Sequence, residues 1–153
     1  MGTHCSDIFD LFTTLQMDYR LDALYQSQGT AGFNIYLEPW LLFSINEFDS
    51  VCVQDLTYDT ATQEFSVDLT TESKVILAQI MVRYWLQKNV QDILQMNNSI
   101  QDHDFKTFSQ AQNLQAKQQA YRDKREEISQ LINDYAYKHN SWTNWESQIY
   151  RST

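Results

Sequence analysis

Apolar residues recur at helical spacing through the first third of the chain. One stripe predicts a helix over about residues 7–26, and its members are Ile8, Phe12, Leu15 and Tyr19. A second stripe predicts a short helix that ends near Glu47, and its members are Phe33, Leu37, Leu41 and Ile45. The polarity pattern therefore indicates two helices before residue 50.

Glycine and proline mark the expected breaks between these helices. Gly29 and Gly32 follow the first stripe, and we expect both to lie in the connecting loop. Pro39 is expected in the first turn of the second helix, where its missing N–H does no harm. If that helix begins earlier, Pro39 should kink it.

The period of the pattern changes between residues 51 and 70. Apolar and polar residues alternate from Phe65 to Leu69, after the polar stretch 59–63, and this alternation predicts a β-hairpin over about residues 51–70. An isolated hairpin is only marginally stable in water. We therefore expect this one to be covered by a helix or by a neighbouring subunit.

Two long helices are predicted in the second half of the chain. A wide apolar face over about residues 72–98 predicts the central helix, with Thr70 or Thr71 as its cap. The last helix is expected from Thr107 or Ser109 to about Tyr137. Its first half is rich in glutamine and its apolar stripe is thin, so it either lies on the surface of its own bundle or packs on neighbouring subunits.

The predicted fold class is mainly α: a helical bundle with two long C-terminal helices and a small β-hairpin. We expect a single domain over residues 1–137 and a C-terminal tail or arm over residues 138–153. The tail is rich in aromatic residues, which either fold back on the domain or anchor it in a partner. The candidate interface residues are aromatic side chains of the hairpin, the last helix and the tail: Tyr58, Phe65, Tyr121, Trp142, Trp145 and Tyr150.

The charge of the chain is acidic and unevenly distributed, with a net charge of −9. Residues 1–72 hold twelve acidic residues and one basic residue, Arg20, whereas residues 73–153 hold eight acidic and ten basic residues. A general nucleic-acid binder needs a surplus of Lys and Arg, which this chain lacks. The asymmetry suits copies that meet front to back, or it serves solubility alone with the signs clustered by chance.

The sequence carries no motif for nucleophilic, phosphate-binding or zinc chemistry. His103 lies between Asp102 and Asp104, a triplet that either holds a cation or, more simply, precedes the last helix. Cys5 and Cys52 form no C-x-x-C pair, and the opening residues lack a signal-peptide pattern, so we expect two free thiols in a reducing cytosol. We expect no catalytic activity, no cofactor, no bound metal and no membrane span.

Three stretches of the chain resemble neck proteins of tailed bacteriophages, of the head–tail connector or adaptor (head completion) type. The first is residues 36–45, with Phe48 and residues 55–56 close behind it. The second is residues 76–86. The third is residues 102–114, which is similar to the acid, Phe-Lys-x-[Tyr/Phe]-Ser-x-Ala junction at the start of the last long helix in such proteins. They all lie between residues 36 and 114, about half of the chain, and each is a packing pattern rather than a catalytic motif.

This resemblance implies a structural virion protein that is assembled in the host cytoplasm and located in the neck. Copies of the chain would form a homo-oligomeric ring that joins the portal to the tail and contacts other neck or tail proteins. Double-stranded DNA would pass through the ring without sequence-specific binding. Acidic residues that line such a channel would repel phosphates, so this hypothesis requires the carboxylates of residues 1–72 to face the bore.

Two alternatives belong to other classes of function. The chain could be a cytosolic helical adaptor or regulatory module that binds one partner, and its oligomeric state would distinguish this from a ring subunit. It could also be an enzyme with an unrecognised acid–base site. A concave pocket that contains strongly shifted carboxylates or a histidine would favour the enzyme.

Overall fold

A computed structural model describes residues 2–16, 18–99 and 107–139 of the chain, without the side chains of residues 96–99 and 107–111. The described residues are 78% helical and form four helices and a two-stranded antiparallel hairpin, which confirms the predicted fold class. Within the described residues, no helix is both long and apolar enough to cross a membrane. In chain order the elements are α1 (Cys5–Leu15), α2 (Tyr19–Phe48), β1 (Tyr58–Asp59), β2 (Glu64–Phe65), α3 (Thr71–Ser99) and α4 (Thr107–His139).

Helix α3 is the centre of the bundle, as its wide apolar face predicted. Helices α1, α2 and α4 each pack against it. Leu77, Ile80 and Met81 of α3 are fully buried, and so are Ile8 and Phe12 of α1. Burial of such side chains contributes about 1.5–3 kcal/mol each and is the main stabilising force of the fold.

The prediction of one helix over residues 7–26 was wrong. Helix α1 ends at Leu15, and the Asp18 carboxylate then caps α2 by accepting hydrogen bonds of 2.9 Å from the N–H groups of Arg20 and Leu21. A short acidic side chain at this position satisfies N–H groups that have no partner inside the helix. Because the chain breaks here, Leu15 and Tyr19 lie outside the core, with exposed fractions of 43% and 77%.

The predicted loop at Gly29 and Gly32 is replaced by a kink within α2. The kink lies at Gly29, where φ is +66° and ψ is −174°, while Gly32 lies inside the helix. Pro39 follows ten residues after the kink and so is not in a first turn, and Gly29 is the residue of α2 with non-helical dihedral angles. Pro39 cannot bond the carbonyl of Ile35, but Ile35 is 65% exposed and its carbonyl can bond water.

The hairpin is covered by the chain's own N-terminal segment. The Thr3 N–H donates to the Val67 carbonyl (3.1 Å), the Thr3 carbonyl accepts from Phe65 N–H (2.8 Å), and the Cys5 N–H donates to the Gln63 carbonyl (2.9 Å). Residues 2–5 thus lie beside β2 as an extended third segment. The cover therefore includes an extended segment of the same chain, which was not expected, and α2, which contacts the hairpin through Glu38 and Tyr58.

The start of α3 is capped from two directions. The Thr70 hydroxyl accepts from the N–H of Ser73 at 3.3 Å, as the sequence predicted. The Gln54 side chain accepts from the N–H of Thr70 (3.0 Å) and from the buried Ser73 hydroxyl (2.8 Å), and it donates to the carbonyl of Asp68 (3.3 Å). Gln54 therefore joins the segment before the hairpin to the first turn of the central helix.

Helix α4 lies along α3 through a narrow stripe. Ile128 and Tyr135 are almost fully buried, and most other described side chains of α4 face outward. Tyr135 packs on Phe48 with ring centroids 5.0 Å apart, and its hydroxyl accepts from the N–H of Val53 at 3.3 Å. The helix begins at Thr107, one of its two predicted starts.

Candidate protein–protein interface

The structure places Tyr58 at the junction of the hairpin with α2. Its hydroxyl donates to the Glu38 carboxylate at 3.0 Å, and its ring packs on Phe65 with centroids 5.1 Å apart. Burial, the nearby Cys5 thiol and the Glu38 carboxylate all raise the pKa of Tyr58 above its ordinary value. Tyr58 is half-buried, so one side of it remains accessible to a partner.

Phe65 lies inside the core of its own chain, with an exposed fraction of 2%. It was predicted as a candidate interface residue, but the hairpin turns this side chain inward and the N-terminal segment lies beside it. We therefore correct this assignment, because Phe65 stabilises the hairpin and is not a surface residue. Tyr121 is half-buried on α4, and Trp142, Trp145 and Tyr150 lie outside the described residues.

The structure reveals an exposed apolar face on α2 that the sequence analysis missed. Ile35, Pro39, Leu42 and Phe43 lie at helical spacing on the side of α2 opposite its buried residues. Ile35 is 65% exposed and Phe43 is 52% exposed, and the Phe43 ring lies 5.5 Å from that of Tyr84. Contiguous apolar residues on a surface mark an interaction site. The signal was present in the sequence, since α2 carries apolar residues on two faces.

An ion pair between Glu47 and Arg83 holds α2 against α3. The Arg83 guanidinium donates two hydrogen bonds to the Glu47 carboxylate, one of them at 2.7 Å, and the Tyr84 hydroxyl donates a third at 3.0 Å. Burial works against ionisation of Glu47, but the bonds and charge of Arg83 outweigh it and hold the pKa of Glu47 below its ordinary value. A bidentate pair of this kind fixes geometry as well as charge.

A second set of contacts fixes the end of α4 on the start of α3. Lys138 donates to the Glu72 carboxylate at 3.1 Å, and the His139 ring lies 3.0 Å from the same oxygen. Hydrogen bonds from His139 and Lys138 hold the pKa of Glu72 below its ordinary value. These contacts hold the last described turn of α4 beside Glu72.

The described residues contain two histidines and two thiols to test for chemistry. His4 caps α1 by accepting from the N–H of Ser6 at 3.1 Å, and the sulfur of Cys5 lies 3.9 Å from the same ring nitrogen. Burial raises the pKa of the Cys5 thiol, so it stays protonated at neutral pH and is a weak nucleophile. Cys52 lies 3.5 Å from the hydroxyl of Tyr135, which makes it part of the packing around α4.

No three His, Cys, Asp or Glu side chains among the described residues are grouped so as to hold a metal ion. The Asp102, His103 and Asp104 triplet lies outside the described residues. The exposed carboxylates Asp7 and Asp10 belong to α1, and Asp10 also lines a small cavity between α1 and α2.

Comparison of the chain with protein-family models, with curated proteins and with solved structures finds no match. The proposed function therefore rests on the surface residues of the structure and on the sequence resemblance.

Proposed function

We propose that this chain is a structural subunit of the neck of a tailed bacteriophage. Copies of it form a ring that joins the portal to the tail, and the DNA passes through the ring without sequence-specific binding. The observation that carries the proposal is the resemblance of residues 36–45, 76–86 and 102–114 to connector and adaptor proteins of this kind.

The position of the first two stretches in the fold supports the proposal. Residues 36–45 lie on α2 and residues 76–86 lie on α3, and the two pack together. Tyr36 contacts Trp85 edge-on with ring centroids 6.3 Å apart, and Leu37, Leu41 and Leu77 are fully buried. The resembling residues thus form one packed unit at the centre of the bundle. Such a unit is the part of a subunit whose residue pattern depends most strongly on the fold.

The surface of the bundle also suits a subunit that works by assembly. The α2 face with Ile35, Pro39, Leu42 and Phe43 is apolar and exposed, which suits burial against another chain. Helix α4 is 33 residues long, yet only a narrow stripe of it is buried. A long helix with most of its surface free offers a large contact area to neighbours.

The test is to purify the chain and observe its assembly alone and with the portal protein encoded in the same genome. Light scattering gives the mass of the complexes, and negative-stain electron microscopy gives their shape. Closed rings, formed alone or on the portal, are the expected result. A chain that stays monomeric under both conditions contradicts the proposal. A one-to-one complex with a single cytosolic protein, without rings, would instead support an adaptor or regulatory module.

A further inference from the structure

A small cavity lies between α1 and the kink of α2. Its volume is about 230 Å³. This is below the range of about 300–1,000 Å³ that is typical of sites for small organic ligands, so it has room for one long side chain. Its floor is aromatic and its rim is polar, and the residues that line it include Phe9, Asp10, Thr13, Tyr25 and Phe33.

The chemistry of the cavity selects a cationic side chain with an apolar stem. Tyr25 and Phe33 meet edge-on, with centroids 5.5 Å apart, and Tyr25 is 41% exposed. Asp10 lies at the rim and forms no ion pair with any of the residues that the structure describes. An arginine fits these groups, because its stem packs on aromatic rings while its guanidinium pairs with a carboxylate.

The chain itself carries a matching pair of arginines on the outer side of α4. Arg122 and Arg125 are exposed, and neither takes part in an ion pair within the described part of the chain. The ion pair that forms nearby is Lys124 with Glu127, at 3.0 Å. Both guanidinium groups are therefore free to bind a carboxylate of another subunit.

The cavity and the arginine pair lie on opposite sides of the subunit. Lys74 of α3 pairs with Asp7 of α1 at 3.2 Å, whereas Glu72 pairs with Lys138 of α4. Glu72 and Lys74 are two positions apart on α3, and such residues point in directions roughly 200° apart around a helix axis. Helices α1 and α4 therefore lie on opposite sides of α3. A surface on one side that complements a surface on the other side of an identical chain produces a head-to-tail contact, and such contacts form a ring when the rotation between neighbouring subunits closes.

We propose that Arg122 or Arg125 of one subunit enters the cavity at Asp10 of the next subunit, and that this contact repeats around the ring. The proposal rests on the ring assembly proposed above and names its interface. The two arginines are three residues apart on α4, and Asp7 and Asp10 are three residues apart on α1. While one guanidinium binds Asp10, the other therefore faces Asp7. The Asp7 carboxylate can accept a second donor beside Lys74, since it has two oxygens.

The test uses charge reversal in the full chain, with assembly measured by sedimentation velocity alone and on the portal protein. Asp10→Lys and the double variant Arg122→Glu/Arg125→Glu should each raise the concentration needed for assembly by at least about tenfold, because like charges then meet at the contact. A mixture of the two variants should assemble again, since the arginines of one variant meet Asp10 of the other, and the introduced lysine meets the introduced glutamates with opposite charge. Asp49→Lys is the matched control, as it makes the same charge change at the far end of α2.

Three results would overturn this interface. The first is Asp10→Lys protein that assembles like the wild type. The second is assembly that Asp10→Lys and Asp49→Lys weaken equally, which would indicate a general effect of charge. The third is a mixture that stays unassembled while each variant remains folded by circular dichroism. In all three cases the wild type still forms rings and the proposed function stands, whereas a wild type that never assembles overturns both.

Discussion

The kink at Gly29 gives the sharpest test of the fold. We expect Gly29→Ala to destabilise the chain, because φ of +66° with ψ of −174° is a conformation that residues with a side chain rarely adopt. A Cβ built at Gly29 meets no atom within 4 Å, so the cost comes from backbone strain and not from a clash. The substitution therefore tests the backbone conformation without a change in side-chain packing.

The size of the effect follows from two opposing terms. Strain in this region costs roughly 1–3 kcal/mol. Ala also lowers the conformational entropy of the unfolded chain, which stabilises the folded state by about 0.4–1 kcal/mol. The expected net loss is roughly 1–2 kcal/mol, which corresponds to a fall in Tm of about 2–8 °C for a chain of this size.

Urea unfolding followed by circular dichroism measures this loss directly. Gln28→Ala is the control, because it places the same residue at the neighbouring exposed position, and its effect should stay within about 0.5 kcal/mol. The reasoning is refuted if Gly29→Ala is as stable as the wild type or more stable. That result would mean that α2 can straighten without losing the contact between Tyr25 and Phe33.

Three further substitutions test other parts of the structure. Glu47→Gln should lower the free energy of unfolding by about 1–3 kcal/mol at neutral pH, because it leaves the half-buried Arg83 without its charged partner. Since the pKa of Glu47 is lower in the folded chain than in the unfolded chain, the pair stabilises above the unfolded pKa and this contribution is lost as pH falls through the folded pKa. Urea titrations at several pH values should therefore show the difference from the wild type shrinking in acid, and a constant difference would contradict the pairing. Gln54→Ala should cost about 2 kcal/mol in urea unfolding by removing a cap of α3 and a partner of the buried Ser73 hydroxyl, and an unchanged midpoint would refute that role. Ile128→Ala should cost about 2–5 kcal/mol and speed hydrogen exchange in α4, whereas a loss below about 1 kcal/mol would show that α4 does not depend on this stripe.

The elements that the sequence predicted well are those whose periodic pattern agrees with their burial. Helix α3 has a continuous apolar face and a threonine cap, and both the helix and its Thr70 cap are found in the structure. The thin apolar stripe predicted for α4 agrees with its burial, since Ile128 and Tyr135 are its most buried described residues. In these elements local propensity and tertiary packing favour the same structure.

The errors arise where a local signal competes with packing. Gly29 signals a loop, yet Leu21 on one side of it and Phe33 on the other are both buried, so the helix resumes after one residue. The break before α2 was predictable in principle, because Asp18 followed by Leu21 is an N-cap pattern. The cover of the hairpin by residues 2–5 was not predictable, since so short a segment has no period.

The surface residues were the least predictable. Whether an aromatic residue such as Tyr58 or Phe65 points inward depends on which segment lies beside the hairpin, and the hydrophobic pattern does not contain that information. The exposed face of α2 was missed because the sequence analysis followed a single stripe of the helix, whose members are Phe33, Leu37, Leu41 and Ile45. Asp10 gained its significance only when the fold brought Tyr25 and Phe33 beside it.

The most direct test of the proposed neck function is a cryo-electron microscopy reconstruction of the virion encoded by the same genome. We expect a ring of density between the portal and the tail into which α2, α3 and α4 fit as one unit, with α1 of each subunit against α4 of the next. Mass spectrometry of the purified particles should detect the chain. A neck in which other proteins account for all of the density, in particles that lack this chain, would contradict the account.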